Sequence, residues 1–233
     1  MAGVQRHLDM LAFNLASRTA ATEEAYKERI ADSRVKVLPQ AHQNFEQMQA
    51  YARDLLSTQI VNDSINLAVN CLNNVHLFLA VVKTNKEYGG KMNQEAQQKF
   101  QKAQQEFVQS QLDRKFNLLE ENYGIMSELE DTVTSMGFAI QALVQQGGIV
   151  REPQLDDQKE LPFELKSAPA GQTMDLQRQI KELETHHKVF REGEKIHFTD
   201  EELQSLLVTV AVFAAQIFNA VANYARSNQP GSS

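Results

Sequence analysis

A single cysteine, Cys71, runs through the whole chain, so no intrachain disulfide can form and no zinc site of several thiolates can be built. A reducing compartment is the expectation, with cytoplasmic residence as the default and secretion without a signal peptide as the alternative. Tryptophan is absent, and of the five prolines three, Pro153, Pro162 and Pro169, fall close together. Residues 40–152 hold none, which leaves a long stretch free of the strongest helix breaker. Cations are in deficit: 23 Lys and Arg stand against 30 Asp and Glu, for a net charge of -7 and a pI near 5.4. Nucleic acid is excluded as the main partner, since phosphate binding needs a concentrated positive face. The basic clusters at Lys27, Arg29, Arg34 and Lys36 and at Lys83, Lys86 and Lys91 are interleaved with Glu28, Asp32 and Glu87. They read as solvated helix faces.

Enzyme signatures are missing as a group. Glycines occur singly or in pairs, so there is no phosphate-cradling loop and no nucleophile elbow, and H-E-x-x-H is absent. Glu184 and His187 have the E-x-x-H spacing of di-metal helical bundles, but such a site needs a second copy and two more inward carboxylates. The expectation is a chain without catalytic residues, cofactor or metal. Asp9 and Asn14 interrupt the apolar positions of the first twenty residues, which argues against a secretory signal there.

What remains is rich in Gln, Glu, Ala, Leu and Lys, the composition of helices. Residues 40–87 carry Ala41, Phe45, Met48, Ala52 and Leu55, then after a slip near Ser57, Val61, Ile65, Ala68, Leu72, Val75, Leu79 and Val82. Gaps of three and four over this length predict one long helix with a coiled-coil-like seam. Tyr88, Gly89 and Gly90 break it. A second seam over 93–146 reads Phe100, Ala103, Phe107, slips, and resumes at Leu112 through Leu119, Leu129, Val133 and Leu143, with Gly124 and Gly137 as points of bending or close approach.

The expected fold is therefore all-α: an elongated bundle built on an antiparallel hairpin of residues 40–87 and 93–146, with N-terminal and C-terminal helices alongside. Residues 1–233 form a single domain on this reading. Residues 147–173 are a linker or long loop, part of which, at Leu161, Phe163 and Leu165, alternates as an added strand would. Leu176, Ile180, Leu183, His187 and Phe190 predict a further helix, and Thr199 with Glu202 a capping box for the last one. Residues 227–233 read as a flexible tail.

The last helix is the most apolar run, yet Ser205, Thr209, Gln216, Asn219 and Asn223 recur along one strip. On residues 59–74 the amides of Asn62, Asn66, Asn70 and Asn73 form another. Asparagine is a poor helix former, and its side chain both donates and accepts across helices. These nine residues are the candidate interaction positions of a non-enzymatic structural or assembly protein, self-associating as a homo-oligomer or binding a helical partner. The alternative is a membrane-active protein, since residues 203–225 are long enough to cross a bilayer with a polar strip toward a lumen or neighbour.

Overall fold

The computed structural model describes residues 2–32, 42, 44–89 and 93–228. Pro39, Arg34, Lys36, Gly90, Lys91 and the tail beyond Asn228 lie outside them. The helices are α1 (Ala2–Ala20), α2 (Glu23–Ala31), α3 (Phe45–Glu87), α4 (Gln94–Gln109), α5 (Leu112–Tyr123), α6 (Glu130–Gln145), the single turn α7 (Leu176–Gln179) and α8 (Asp200–Ser227). Strands β1 (Leu161–Ser167) and β2 (Glu184–Phe190) pair antiparallel. The chain is mostly helical, and the expectation of an all-α fold is corrected by this small sheet.

The 43 residues of α3 make the axis, about 65 Å long at 1.5 Å per residue. Asn44 caps its start by accepting from the Gln47 N–H at 2.8 Å. Val61, Ala68, Leu72 and Leu79 of its seam, and Ile60 beside them, are wholly buried. Helix α8 runs parallel to it: Arg53 Nη1 meets Asp200 at 2.8 Å near one end, and Lys86 Nζ donates to Asn228 Oδ1 at 2.8 Å near the other. Helix α1 runs the opposite way, from Gly3 beside Leu67, through His7 on Asp63 at 3.1 Å, to Arg18 on Asp200 at 3.1 Å. Helix α4 folds back antiparallel on α3, with Lys99 on Glu87 at 3.3 Å and His76 stacked on Phe107. The hairpin expected at this break is present.

The return arm is not one helix over 93–146. It stops at Ser110, reverses, and becomes α5, which again runs parallel to α3: Lys115 Nζ donates to Asn73 Oδ1 at 3.1 Å and Lys83 Nζ to Asn122 Oδ1 at 3.4 Å. The reversal is held by Lys115, whose ammonium donates to the Phe107 and Val108 carbonyls at the open end of α4. The Phe107 carbonyl otherwise accepts only from the capping Ser110 N–H at 3.2 Å, and a cation suits the negative end of the helix. Gly124, at φ 65°, ends α5 in the left-handed cap that glycine adopts freely. Gly137 bends nothing: α6 passes through it.

The helix expected over residues 176–190 is also corrected. Only Leu176–Gln179 is α-helical and Ile180–Glu182 forms a 3-10 turn. Residues 184–190 are extended because a strand partner and an aromatic cluster outcompete a short local period. Phe163, Phe190 and Phe198 meet edge to face with centroids 5.3–5.9 Å apart. The 147–173 segment contains β1 and a 3-10 turn at Glu152–Gln154, so it is part of the core. Leu161, Phe163 and Leu165 point inward, as their alternation predicts.

Strand β1 lies against α6 and α8, and the N–H groups it turns toward them are accounted for. Pro162 has no N–H to satisfy. The Glu164 N–H donates to Thr132 Oγ1 at 2.9 Å and the Lys166 N–H to Thr209 Oγ1 at 2.8 Å.

Candidate interaction surface

Two helices are unusual in composition. Between Asp63 and Lys83, α3 carries no Lys, Arg, Asp or Glu, and α8 has none between Glu202 and Arg226. Both are long and apolar enough to cross a membrane, with mean hydropathy over 18 residues of 1.6 and 1.9. Packing removes much of this surface: Leu203, Leu206, Leu207, Ala211, Phe213 and Ile217 of α8 are wholly buried. Helix α1 covers the first half of the α3–α8 pair, with Gly3 beside Leu67.

Beyond Leu67 no described residue covers the pair on that side. Asn66, Asn70 and Asn74 are exposed on α3, with Leu77 at 42% and Phe78 at 48% exposure. On α8, Phe218 is 54% exposed and Asn219, Ala222 and Asn223 accompany it. The parallel register of the two helices brings these turns to the same end of the molecule. The segment 75–82 is apolar on all sides but His76. Val75, His76, Leu79 and Ala80 are buried, whereas Leu77 and Phe78 are open.

The nine residues singled out by periodicity divide. Asn62, Asn66, Asn70, Asn219 and Asn223 are exposed, and Asn223 Oδ1 accepts from Arg226 Nη2 at 2.7 Å. The other four are engaged inside the chain. Asn73 accepts from Lys115, and its carbonyl accepts from Gln104 Nε2 at 3.4 Å. Ser205 Oγ donates to the Glu201 carbonyl at 2.9 Å. Thr209 Oγ1 donates to the Ser205 carbonyl at 2.7 Å while accepting from Lys166, so both its roles are used. Gln216 Oε1 accepts from Ser127 Oγ at 2.6 Å. The α8 strip therefore serves the sheet and the α6 entrance over its first half and is free only at its end.

Comparison with protein-family models, with characterised proteins and with solved structures found no match.

Sequence periodicity missed a polar knot beneath this surface. His76 Nδ1 lies 2.6 Å from Gln104 Oε1, its ring stacks on Phe107 at 4.0 Å, and Lys115 sits 4.7 Å over the same Phe107 ring. Burial, with Lys115 and Lys83 nearby, holds the His76 pKa below the usual imidazole value despite the bond to Gln104, and burial lowers that of Lys115. Burial also pushes the Tyr123 phenol up to about 12 and the Cys71 thiol up to about 11. The knot joins α3, α4 and α5, and every described donor of Lys115 is spoken for. Its chemistry is structural.

Among the described residues no group of three or more metal-ligating side chains is gathered. Glu184 and His187 sit on a strand, where an odd separation sends side chains to opposite faces, so the E-x-x-H pair cannot bind one ion. A groove of about 1190 Å³ opens between β2 and α1, with the first half of α8 as its floor and the connection 167–176 along its wall.

Proposed function

We propose that the protein is a non-enzymatic assembly component that self-associates, or binds a helical partner, through the uncovered end of the α3–α8 pair. One observation carries the reading: an uncharged face that exposes Phe78 and Phe218 among asparagines in a chain whose charge is -7. The centre of a protein interface is depleted of charge and enriched in aromatics. Amides there add register, because an asparagine pair across a seam satisfies donor and acceptor at once. A second copy fits this face without meeting like charge.

Multi-angle light scattering of the purified chain tests it. A mass above one 26.3 kDa chain is expected, falling to one chain in the Phe78→Glu, Phe218→Glu double variant with its helical content intact. A single-chain mass for the parent at all concentrations, together with no binding to a helical partner, sinks the reading.

The membrane-active alternative draws on the length and hydropathy of α3 and α8. It requires α8, 61% of whose most apolar window is buried, to leave the core. Dye release from liposomes that tracks loss of the native α1 and sheet contacts favours it; intact liposomes remove it.

A further inference from the structure

We infer that β2 is a docking edge for an extended peptide with apolar residues at alternate positions and lysine or arginine between them. Three independent observations converge on it, and none depends on the α3–α8 face.

The first is the hydrogen-bond inventory of the sheet. The N–H groups of Glu164 and Lys166 point away from β2, to Thr132 and Thr209. Their register partners are His187 and Thr185, and Pro162 faces Val189. In an antiparallel ladder directly opposed residues point the same way relative to their shared seam, both toward it or both away. Thr185, His187 and Val189 therefore turn their N–H and C=O outward, and none of these backbone groups has a hydrogen-bond partner among the described residues. With β1 closed by two threonines, this is the open edge of the sheet, and an open edge is a template for a further strand.

The second is the groove alongside. A strand added to β2 enters the space between β2 and α1. Its side chains on one face then meet Val4 and Leu8 of α1 and Val208 of α8, an apolar floor with room for alternate residues. An exposed edge with no cavity beside it offers only backbone bonds; here the specificity pockets are present as well.

The third is charge. Among the described residues the groove is lined by Glu184, Glu201 and Glu202, and by Asp175 already paired with Arg178 at 3.5 Å, against one lining cation, Lys188. That lysine is held by Glu202 at 2.5 Å. An inward charge on an edge strand ordinarily discourages pairing, but this one is neutralised and folded under the sheet over Phe190 and Phe198. Glu184 and Glu201 are left over, and their field, which reaches about 8 Å at physiological ionic strength, favours a basic segment over an acidic one.

The test uses the full chain and two capped heptapeptides of alternating residues, Lys-Val-Lys-Val-Lys-Val-Lys and its Glu-Val counterpart. Binding is followed by NMR, with amide exchange read at Thr185, His187 and Val189. Saturable binding of the Lys peptide, at least about tenfold tighter than the Glu peptide, is expected, with those three amides slowed. N-methylation of alternate peptide residues gives two patterns, one blocking the edge that pairs and one sparing it, and only the first is expected to abolish binding. His187→Pro deletes the central donor at an edge position that tolerates proline, and loses binding too. The N-methyl pair makes the same point should that variant unfold. Equal binding of the two peptides, equal effect of the two methylation patterns, unprotected edge amides, or protection that rises with protein concentration alone overturns the proposal; the last outcome assigns the edge to a second copy of the chain.

Discussion

Thr209 looks from its spacing like one member of a polar stripe, and its hydroxyl turns out to be spent twice inside the core. A hydroxyl on α8 replaces the strand neighbour that β1 lacks on that side, and the half-buried N–H of Lys166 has no other acceptor among the described residues. Thr209→Val keeps the shape and removes the acceptor, so a loss of about 1–3 kcal/mol in denaturant unfolding is expected, with faster amide exchange at Lys166. Thr209→Ser should recover most of it. Lys115 acts at the same scale. Lys115→Met removes an ammonium that is 3% exposed, leaving the end of α4 and Asn73 unsatisfied, and is expected to cost about 1–3 kcal/mol. His76 sets a pH dependence. Its folded pKa lies below the ordinary value of 6.5, so above that value folded and unfolded forms are both neutral and stability is complete. As pH falls below 6.5 the unfolded chain takes up the proton first, and stability declines toward the folded pKa. His76→Gln should flatten that part of a stability-against-pH curve measured by urea unfolding.

At the scale of the element, the start of α8 is the junction of the fold. Its capping box closes as the spacing of Thr199 and Glu202 predicts, with Glu202 N–H on Thr199 Oγ1 at 3.1 Å and Thr199 N–H on Glu202 Oε2 at 2.7 Å. Asp200 then gathers Arg18 from α1 and Arg53 from α3, and Arg53 Nη2 also donates to the Phe198 carbonyl at 2.8 Å. Asp200→Asn leaves two partly covered guanidinium groups without their counter-charge. Discounting for solvent at this half-open site, about 1–2 kcal/mol is lost. Hydrogen exchange should rise in α1 well before the centre of α3, because α1 buries only Val4 and Leu11 of its own. Among the elements, long ones were legible and short ones were not. α3 and α8 announce themselves because many turns repeat one period. β2 does not: Leu176, Ile180 and Leu183 start a helical line that His187 and Phe190 continue by coincidence, and only β1 resolves it. The reversal at Ser110 had a signal in the slip from Phe107 to Leu112, but an equal slip near Ser57 lies inside an unbroken helix.

For the whole molecule, the parallel course of α3 and α8 is what puts two uncharged helix faces at one end. Association through that face, as proposed, rests on apolar and amide contacts, so the mass of the complex should hold as ionic strength rises; dissociation in high salt, read by sedimentation velocity, points instead to a charged interface. Helical content, the long α3–α4 hairpin, the cap of α8 and the apolar residues of the core follow from the sequence alone, because period, capping chemistry and helix breakers act over a few residues. The sheet, the α4–α5 reversal, the direction of α8 and the division of the polar residues into satisfied and free were decided by tertiary structure. Each depends on which distant group supplies a hydrogen-bond partner: Thr132 and Thr209 for β1, Asn73 for Lys115, Ser127 for Gln216. Sequence spacing fixes which side of a helix a residue occupies, and only the packed neighbours determine whether that side meets water or another part of the chain.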